Sequence, residues 1–353
     1  MKFNMLNYAE IMPAFKDNYT TVGMSSSDEY LPYLTVCLQS IVDNSCNFNN
    51  YDIVIFTSSN DDIKKKIIKN HFSKKNVSIR FYNPQHFFKD IKLRVTHDYF
   101  NEVCFYRIVA PFVFKNYKKV IFTDIDLVFK SDIKNLDSVD IGNSPLAACK
   151  EPLWESFIKK NINLKTINIV DYSKNVLKLK DINNYYNTGV VVFNIEEFNN
   201  NNYVEQLLNL INTTNFFYQE QCALNCLLND KIYNLDSIWN GEVIENAVDN
   251  YSLFEKANVI HFLTKNKPWN SYKNPLNFIW WEYARKTPFY EQILYNMTNN
   301  LIQTKLKNIK NKKKYSFNYK KCSILKNITV GNAKKHYTNK AERFKELLSK
   351  IED

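Results

Sequence analysis

Short apolar runs alternate with helix-like stretches along most of this chain, and this alternation limits the folds that it can adopt. The clearest runs are residues 52–57, 77–81 and 119–123, and the stretches between them carry apolar residues at helical spacing. Strands separated by helices are typical of βαβ units, which build a mostly parallel sheet with helices on its faces. We therefore predict an α/β fold with a mostly parallel central sheet flanked by helices.

Positive charge is concentrated in the C-terminal part of the chain. The 353 residues carry a formal net charge of +11, and residues 301–353 hold 15 Lys and Arg against 4 Asp and Glu. Residues 1–300 hold 32 charges of each sign and are neutral as a whole. Because the α/β pattern also ends near residue 270, we predict an α/β domain over residues 1–270 and a helical, lysine-rich region over residues 271–353.

The basic region is densest over residues 305–321, where eight lysines are interleaved with Leu306, Ile309, Tyr315, Phe317 and Tyr319. One interpretation is a solvated basic linker. Another is attraction to an anionic membrane surface, where each lysine contributes roughly 1 kcal/mol. A third is nucleic-acid binding, but the neutral body offers no extended positive groove, so we expect no nucleic-acid partner.

Cysteine usage and hydropathy bear on the compartment. The seven cysteines form no C-x-x-C pair, which indicates neither a disulfide framework nor a zinc site. The N-terminal residues lack the order of a signal peptide, and no run approaches ~18 consecutive apolar residues. Together with the basic region, this pattern predicts a cytoplasmic protein at the inner face of the cell membrane.

Two carboxylates end the apolar run of residues 119–123. Asp124 and Asp126 are two positions apart, so on extended backbone their side chains point to the same side. Two hard oxygen ligands at the end of a strand suit Mg²⁺ or Mn²⁺. The carboxyl edge of an open α/β sheet is also where ligands bind. The alternative is a strand that simply ends in an acidic loop.

Three other polar clusters accompany the acidic pair. They are Arg107 before the acidic strand, the Asn187-Thr188-Gly189 triplet before the run at 190–194, and the segment from His261 to Trp269. A fixed guanidinium suits a phosphate or a sugar, and a glycine beside a polar residue allows close approach to backbone. The last segment combines an imidazole, two ammonium groups and an indole.

Taken in this order over residues 20–270, these motifs resemble glycosyltransferase family 8, especially the bacterial lipopolysaccharide glucosyl- and galactosyltransferases. The resemblance implies the GT-A fold of nucleotide-diphospho-sugar transferases, here with a helical, basic C-terminal extension. It also implies a metal-dependent, retaining hexosyltransferase. Such an enzyme moves galactose or glucose from UDP-galactose or UDP-glucose to a saccharide or lipid-linked saccharide, in lipopolysaccharide or another surface glycan.

The resemblance also implies ligands for the metal. Asp124 and Asp126 match the D-x-D motif of the family, and His261 matches its third metal ligand. Carboxylates with one imidazole favour Mn²⁺, and Mg²⁺ also fits such a site.

For the donor, the resemblance implies a larger set of residues. In this set Tyr30 stacks on uracil, Lys267 meets the diphosphate, and Glu220 with Gln221 contacts the sugar at the catalytic position. The residues implied for UDP-sugar binding are Ser26, Ser27, Asp28, Glu29, Tyr30, Arg107, Asp124, Ile125, Asn187, Thr188, Gln221, Thr264 and Lys267.

Two positions depart from the pattern of the family. Where relatives carry an acidic-Gln-acidic triplet, this chain has Glu220-Gln221-Cys222, and Thr264 stands where relatives have glycine. Because Cys222 removes the second carboxylate, we favour a front-face displacement in which Glu220 and Gln221 only position the sugar.

Other enzyme classes are weakly supported. The chain contains no G-x-G-x-x-G, Walker A or G-x-S-x-G motif. The alternative that remains is a phosphatase of the haloacid dehalogenase type, in which Asp124 would be the nucleophile and Asp126 the acid/base. That fold normally opens with its acidic strand, whereas several predicted sheet units precede this one.

Overall fold

The computed structural model describes residues 10–93, 102–243, 250–263, 267–271, 274 and 276–351. The chain divides into two compact units, Met1–Tyr290 and Glu291–Asp353. The boundary predicted after residue 270 falls inside the first of these units.

Strands and helices alternate through the first unit. The strands are β1 (Tyr19–Ser25), β2 (Asn50–Phe56), β3 (Val77–Tyr82), β4 (Lys119–Thr123), β5 (Leu127–Phe129), β6 (Leu146–Lys150), β7 (Asn163–Leu164), β8 (Ile167–Asn168), β9 (Tyr186–Asn194), β10 (Ile232–Asn234), β11 (Gly241–Val243) and β12 (Val259–Phe262). The α-helices of this unit are α1 (Leu31–Asp43), α2 (Asp62–Phe72), α3 (Ala110–Val113), α4 (Lys134–Asp137), α5 (Pro152–Lys159), α6 (Ile169–Asp171), α7 (Ile195–Asn200), α8 (Tyr203–Thr213), α9 (Gln219–Leu228), α10 (Asn250–Lys256) and α11 (Asn277–Ala284). Short 3₁₀ segments cover Asp28–Tyr30, Gln85–Phe88, Glu102–Val109, Asn229–Lys231 and Ser237–Trp239, and Tyr172–Val176 forms a π-helical turn.

The central sheet has seven strands in the order β10-β6-β9-β4-β1-β2-β3. The pairs β1–β2, β1–β4, β2–β3 and β6–β10 are parallel, whereas β9 runs antiparallel between β4 and β6. Its inner strands are buried almost throughout because helices cover the sheet, which explains their continuous apolar runs. The predicted α/β fold with a mostly parallel sheet flanked by helices is confirmed.

A second sheet lies beside the end of β4. It has the order β11-β12-β5, and three residues separate the end of β4 from the start of β5. The segment 124–126 therefore joins the two sheets. Since β12 pairs antiparallel with β5, His261 lies opposite Leu127 and next to the acidic pair.

Two segments differ from their predicted form. The helix expected over residues 100–114 is a 3₁₀ segment, Glu102–Val109, followed by the single turn α3. Residues 187–189, expected to precede a strand, lie inside β9. Because β9 is antiparallel to β4, it begins at the edge where β4 ends, and the Asp124 N–H donates to the Gly189 carbonyl at 2.7 Å.

The second unit is helical. It comprises α12 (Tyr290–Ile328), apart from its first residue, and α13 (Gly331–Ser349). Cys322 and Ala341 are buried, and the rings of Tyr315 and Phe344 lie 6.1 Å apart, so the two helices pack through one face of each. None of the helices within the described residues is both long and apolar enough to cross a bilayer.

Candidate active site

The acidic pair and His261 meet at the junction of the two sheets. Asp124 follows β4, Asp126 precedes β5, and His261 is on β12. The Phe262 N–H donates to the Asp126 carbonyl at 2.9 Å and locks β12 against this turn. One ligand atom from each of Asp124, Asp126 and His261 lies within 4.8 Å of the other two. The fold brings together the three predicted metal ligands.

The geometry of these three side chains fits a divalent cation. His261 Nε2 lies 3.3 Å from an Asp126 oxygen and 3.8 Å from an Asp124 oxygen. Asp126 and His261 are buried and Asp124 is partly exposed, so solvent reaches the cluster mainly at Asp124. Carboxylate oxygens with one imidazole nitrogen are a donor set for a hard or borderline divalent ion.

Lys267 pairs with Asp126 at the edge of the cluster. Its ammonium group donates to the Asp126 carboxylate and to the Phe262 carbonyl, the latter at 2.7 Å. Burial opposes ionisation of Asp126, but Lys267 and His261 outweigh it and hold the pKa of Asp126 well below its ordinary value. Lys267 itself is partly exposed and can reach a bound ligand.

Arg107 supports the site from its buried side. The buried guanidinium donates to the Asp124 carboxylate and to the Thr188 carbonyl, and its Nε lies 3.6 Å from Glu220 Oε1. It was expected to hold the phosphate or sugar of a donor, and that contact stays a prediction. In this structure Arg107 orients Asp124.

Glu220 and Gln221 lie on α9, and Glu220 is the one that contacts Arg107. Burial raises the pKa of Glu220 to about 7, although Arg107 acts against that rise. The Gln221 side-chain oxygen accepts from the Thr188 N–H at 3.1 Å, and its nitrogen donates to the Tyr185 hydroxyl at 3.3 Å. The Gln221 amide is thus held in one orientation on Thr188, whose carbonyl accepts from Arg107.

Cys222 faces away from the polar site. Its sulfur is fully buried, 3.1 Å from the Tyr185 hydroxyl and 3.4 Å from the Tyr218 N–H that donates to it. Burial raises the pKa of the thiol to about 11. The cysteine is therefore a core residue, and the site loses no accessible group through it.

The loop after β1 carries the residues predicted to hold the base and ribose. Asp28 pairs with Lys64 at 2.7 Å and accepts a hydrogen bond from Ser59. Tyr30 is partly exposed, with its ring 6.4 Å from Trp269. This contact joins the loop to the segment of Lys267, so the predicted base and diphosphate contacts lie side by side.

The remaining residues predicted to bind the UDP-sugar differ in exposure. Ser26 is buried and donates to the Ser27 carbonyl at 2.9 Å. Glu29 is exposed, while Ile125 is partly buried between the two aspartates. Thr264 lies outside the described residues.

Gly189 is required by the imidazole. A Cβ at this position would lie 2.3 Å from Cε1 of His261 and 2.9 Å from the Asn187 side-chain oxygen. The close approach expected at this glycine is thus made by a protein side chain.

The sequence did not single out Glu151 and Asn240. Asn240 hydrogen-bonds to His261 at 2.8 Å and to Asn187 at 3.0 Å, and Asn187 donates to Glu151 at 2.7 Å. Asn187 and Thr188, which were predicted to bind the donor, are both buried against protein groups. Asn240 precedes a glycine and has the form of an ordinary turn residue, and it stands 21 positions from His261. No motif spacing connects the two.

Comparison with known proteins agrees with this geometry. The family model for glycosyl transferase family 8 matches residues 21–273. A putative glycosyltransferase from Haemophilus influenzae is 26% identical over 270 residues, which are 72% of this chain and 74% of that protein. General stress protein A from Bacillus subtilis is 23% identical over 273 residues, 72% of this chain and 89% of that protein.

Solved structures share the fold. The bifunctional glycosyltransferase WbbM superposes with a TM-score of 0.73 and 24% identity over 82% of this chain and 53% of that one. This chain thus spans about half the length of WbbM. The galactosyltransferase LgtC, solved with donor and acceptor sugar analogues, gives a TM-score of 0.59 and 16% identity over 76% and 96%. The fold is of the GT-A type, as expected, and the chain belongs to glycosyl transferase family 8 and is a glycosyltransferase.

Proposed function

We propose that this enzyme is a metal-dependent, retaining hexosyltransferase that moves galactose or glucose from a UDP-sugar to a saccharide acceptor. The observation that carries the proposal is the cluster of Asp124, Asp126 and His261 with Lys267 at its edge. Two acids, an imidazole and an ammonium group at a sheet edge suit a metal-bound diphosphate.

The residues of the site divide the chemistry between them. A divalent ion held by Asp124, Asp126 and His261 would act as a Lewis acid on the departing diphosphate. Lys267 would add a second positive charge at the same place, so that the leaving group needs no proton donor. Arg107 keeps Asp124 in position as an acceptor toward the ion.

Retention of the anomeric configuration is proposed to follow a front-face displacement. A double displacement needs a carboxylate nucleophile facing the sugar. Cys222 is buried in the core, and Glu220 is nearly enclosed behind Arg107. Gln221, oriented by Thr188 and Tyr185, would position the sugar in this displacement.

Manganese is the proposed metal, with magnesium as a weaker substitute, because the imidazole of His261 is a softer ligand than oxygen. The test is UDP-sugar hydrolysis and acceptor transfer over a panel of donors, with Mn²⁺, Mg²⁺ or EDTA. We expect UDP-galactose or UDP-glucose turnover that EDTA abolishes and Mn²⁺ restores best. Turnover unaffected by EDTA, or no binding of UDP with Mn²⁺, would remove the proposal.

A phosphatase of the haloacid dehalogenase type requires Asp124 to attack phosphorus. The carboxylate of Asp124 is instead bound by Arg107, and His261 faces the same pair. We therefore expect no hydrolysis of p-nitrophenyl phosphate under the same metal conditions.

The acceptor is proposed to be part of lipopolysaccharide or another surface glycan, free or lipid-linked. A lipid-linked acceptor places the enzyme at the inner face of the membrane, and α12 carries a surface suited to that place. Seven exposed apolar side chains, which we call the apolar stripe, fall within an arc of about 100° on this helix. They are Tyr295, Ile302, Leu306, Ile309, Phe317, Ile324 and Ile328. Lys313 and Lys320 lie in the same arc and Lys310 at its edge, so basic and apolar side chains share the surface that would meet anionic lipid.

A further inference from the structure

We propose that Glu151, Asn187 and Asn240 form a positioning chain that fixes the ring orientation and tautomer of His261, so that its Nε2 lone pair faces the two aspartates. The inference rests on the proposed metal site, and it assigns Asn240 a role in metal binding without contact to the ion.

The chain runs through four side chains, each at a different strand of the two sheets. Glu151 follows β6, Asn187 is on β9, Asn240 precedes β11 and His261 is on β12. Successive heavy-atom distances are 2.7 Å from Asn187 Nδ2 to Glu151, 3.0 Å from Asn240 Nδ2 to Asn187 Oδ1, and 2.8 Å from Asn240 Oδ1 to His261 Nδ1. The chain thus joins the seven-stranded sheet to the three-stranded one.

The direction of every proton in the chain follows from one backbone group. The Gly189 N–H can only donate, and it lies 2.7 Å from Asn187 Oδ1, so that atom is an acceptor. Asn187 Nδ2 then faces Glu151, whose other oxygen accepts from the Leu153 N–H.

The same reasoning shows which imidazole nitrogen carries the hydrogen. Since Asn187 Oδ1 is an acceptor, the Asn240 group that meets it is the amide nitrogen. The Asn240 oxygen is left facing His261 Nδ1, and a carbonyl oxygen cannot donate, so Nδ1 carries the hydrogen. In the neutral imidazole the lone pair is then on Nε2, 3.3 Å from Asp126.

Burial holds this arrangement in place. Asn187, Asn240 and His261 are each less than 5% exposed, and Glu151 is 9% exposed. The imidazole also packs on Gly189, where no Cβ fits. A partner that orients the second nitrogen of a metal-binding histidine typically changes metal affinity about 10- to 100-fold when removed.

The decisive experiment compares Asn240→Ala with wild type in two readouts on the full chain. The first is Mn²⁺ affinity by calorimetry without donor, where we expect about 10- to 100-fold weaker binding. The second is the tautomer of the neutral imidazole by ¹H–¹⁵N NMR of metal-free protein at alkaline pH, with the His261→Gln variant to assign the signal among five histidines. We expect the Nδ1–H tautomer in wild type and its loss in Asn240→Ala.

Two further variants keep the test sharp. Asn240→Asp retains an acceptor toward Nδ1, so it should keep the tautomer and bind Mn²⁺ more tightly than Asn240→Ala. Asn49→Ala removes a buried asparagine that bonds Thr20 and the Asn50 carbonyl at another part of the sheet, and it should leave Mn²⁺ affinity unchanged.

An Nε2–H tautomer in the wild type would overturn the inference. So would an Asn240→Ala variant with wild-type tautomer and affinity. Failure of the wild type to bind Mn²⁺ would instead count against the proposed function, while the tautomer measurement would still test the positioning chain.

Discussion

At the scale of single residues, the site is a set of charged side chains, each held in place by a neighbouring side chain. Asp124 is held by Arg107, Asp126 by Lys267 and His261, and His261 in turn by Asn240. Each of the two carboxylates has a cationic partner, Arg107 for Asp124 and Lys267 for Asp126. This explains how a buried Asp126 stays ionised.

Asp126→Asn should lower sugar transfer by about 10³-fold or more, because it removes one of two carboxylates that stabilise charge worth several kcal/mol in the transition state. The fold should persist, since asparagine has the same shape. The measurement is kcat with the preferred UDP-sugar, alongside thermal unfolding. Asp140→Asn, at an exposed turn, is the control and should keep full activity. Retained transfer in Asp126→Asn would contradict the assignment.

Cys222→Ala should retain transfer and lose stability, by about 1–2 kcal/mol, because it leaves a small space in the core and removes the sulfur contacts with Tyr185 and Tyr218. Urea unfolding and kcat measure the two effects separately. Cys149→Ala, another buried cysteine, should behave alike. A folded Cys222→Ala variant without activity would show that the sulfur takes part in catalysis.

At the scale of elements, the antiparallel strand β9 and the small sheet build the site. β9 starts where β4 ends, which brings Asn187, Thr188 and Gly189 to the acidic pair. β12 brings His261 from the other side, and β11 supports it by pairing Glu242 with His261. Each strand is short, and its pairing decides which side chains meet.

The β11 strand should make stability depend on pH through Glu242. Both carboxyl oxygens of Glu242 are shielded from solvent, and burial together with Glu151 raises its pKa to about 11. An unfolded glutamate ionises near pH ~4.3. The contribution of Glu242 to the free energy of unfolding is therefore complete below that pH. It is lost progressively as pH rises toward 11, by up to about 1.4 kcal/mol per pH unit.

Glu242→Gln is neutral at every pH and should remove this dependence. Urea unfolding of both proteins without metal, from pH 5 to 8, should show the variant gaining stability relative to wild type with each pH step. A difference that stays constant over this range would show that Glu242 is ionised in the folded protein.

At the scale of the whole molecule, the excess positive charge and the predicted metal site lie in different units. The predicted metal ligands lie in Met1–Tyr290, whereas the excess of lysines lies in Glu291–Asp353. On α12 the face that packs on α13, marked by Tyr315 and Cys322, is opposite the apolar stripe. The packing of α13 on α12 therefore leaves the stripe uncovered.

Replacing Ile302, Leu306 and Ile309 by serine should weaken binding to phosphatidylglycerol vesicles at least about tenfold, because apolar burial contributes much of interfacial affinity. Transfer to a soluble acceptor should not change. Leu294 and Leu301 are exposed apolar residues outside the stripe, and their double serine variant is the control. Vesicle sedimentation at two salt concentrations measures the effect. Equal binding by both variants, or RNA binding instead, would remove the membrane assignment.

The sequence by itself determined the alternation of elements, the acidic pair at the end of β4, and the order of motifs that points to family 8. Those features are local, since strand propensity, i and i+2 spacing and charge runs act between near neighbours. The trio of Asp124, Asp126 and His261 could also be inferred, but only through resemblance, because His261 is far away in the chain.

Only the tertiary structure decided the rest. The direction of β9, the core position of Cys222 and the chain from Glu151 to His261 depend on strand pairing between segments that are distant in sequence. Hydrogen-bond partners of buried polar groups are chosen by whichever group the fold brings near. For that reason no local sequence motif identifies Asn240, although its side chain orients the imidazole.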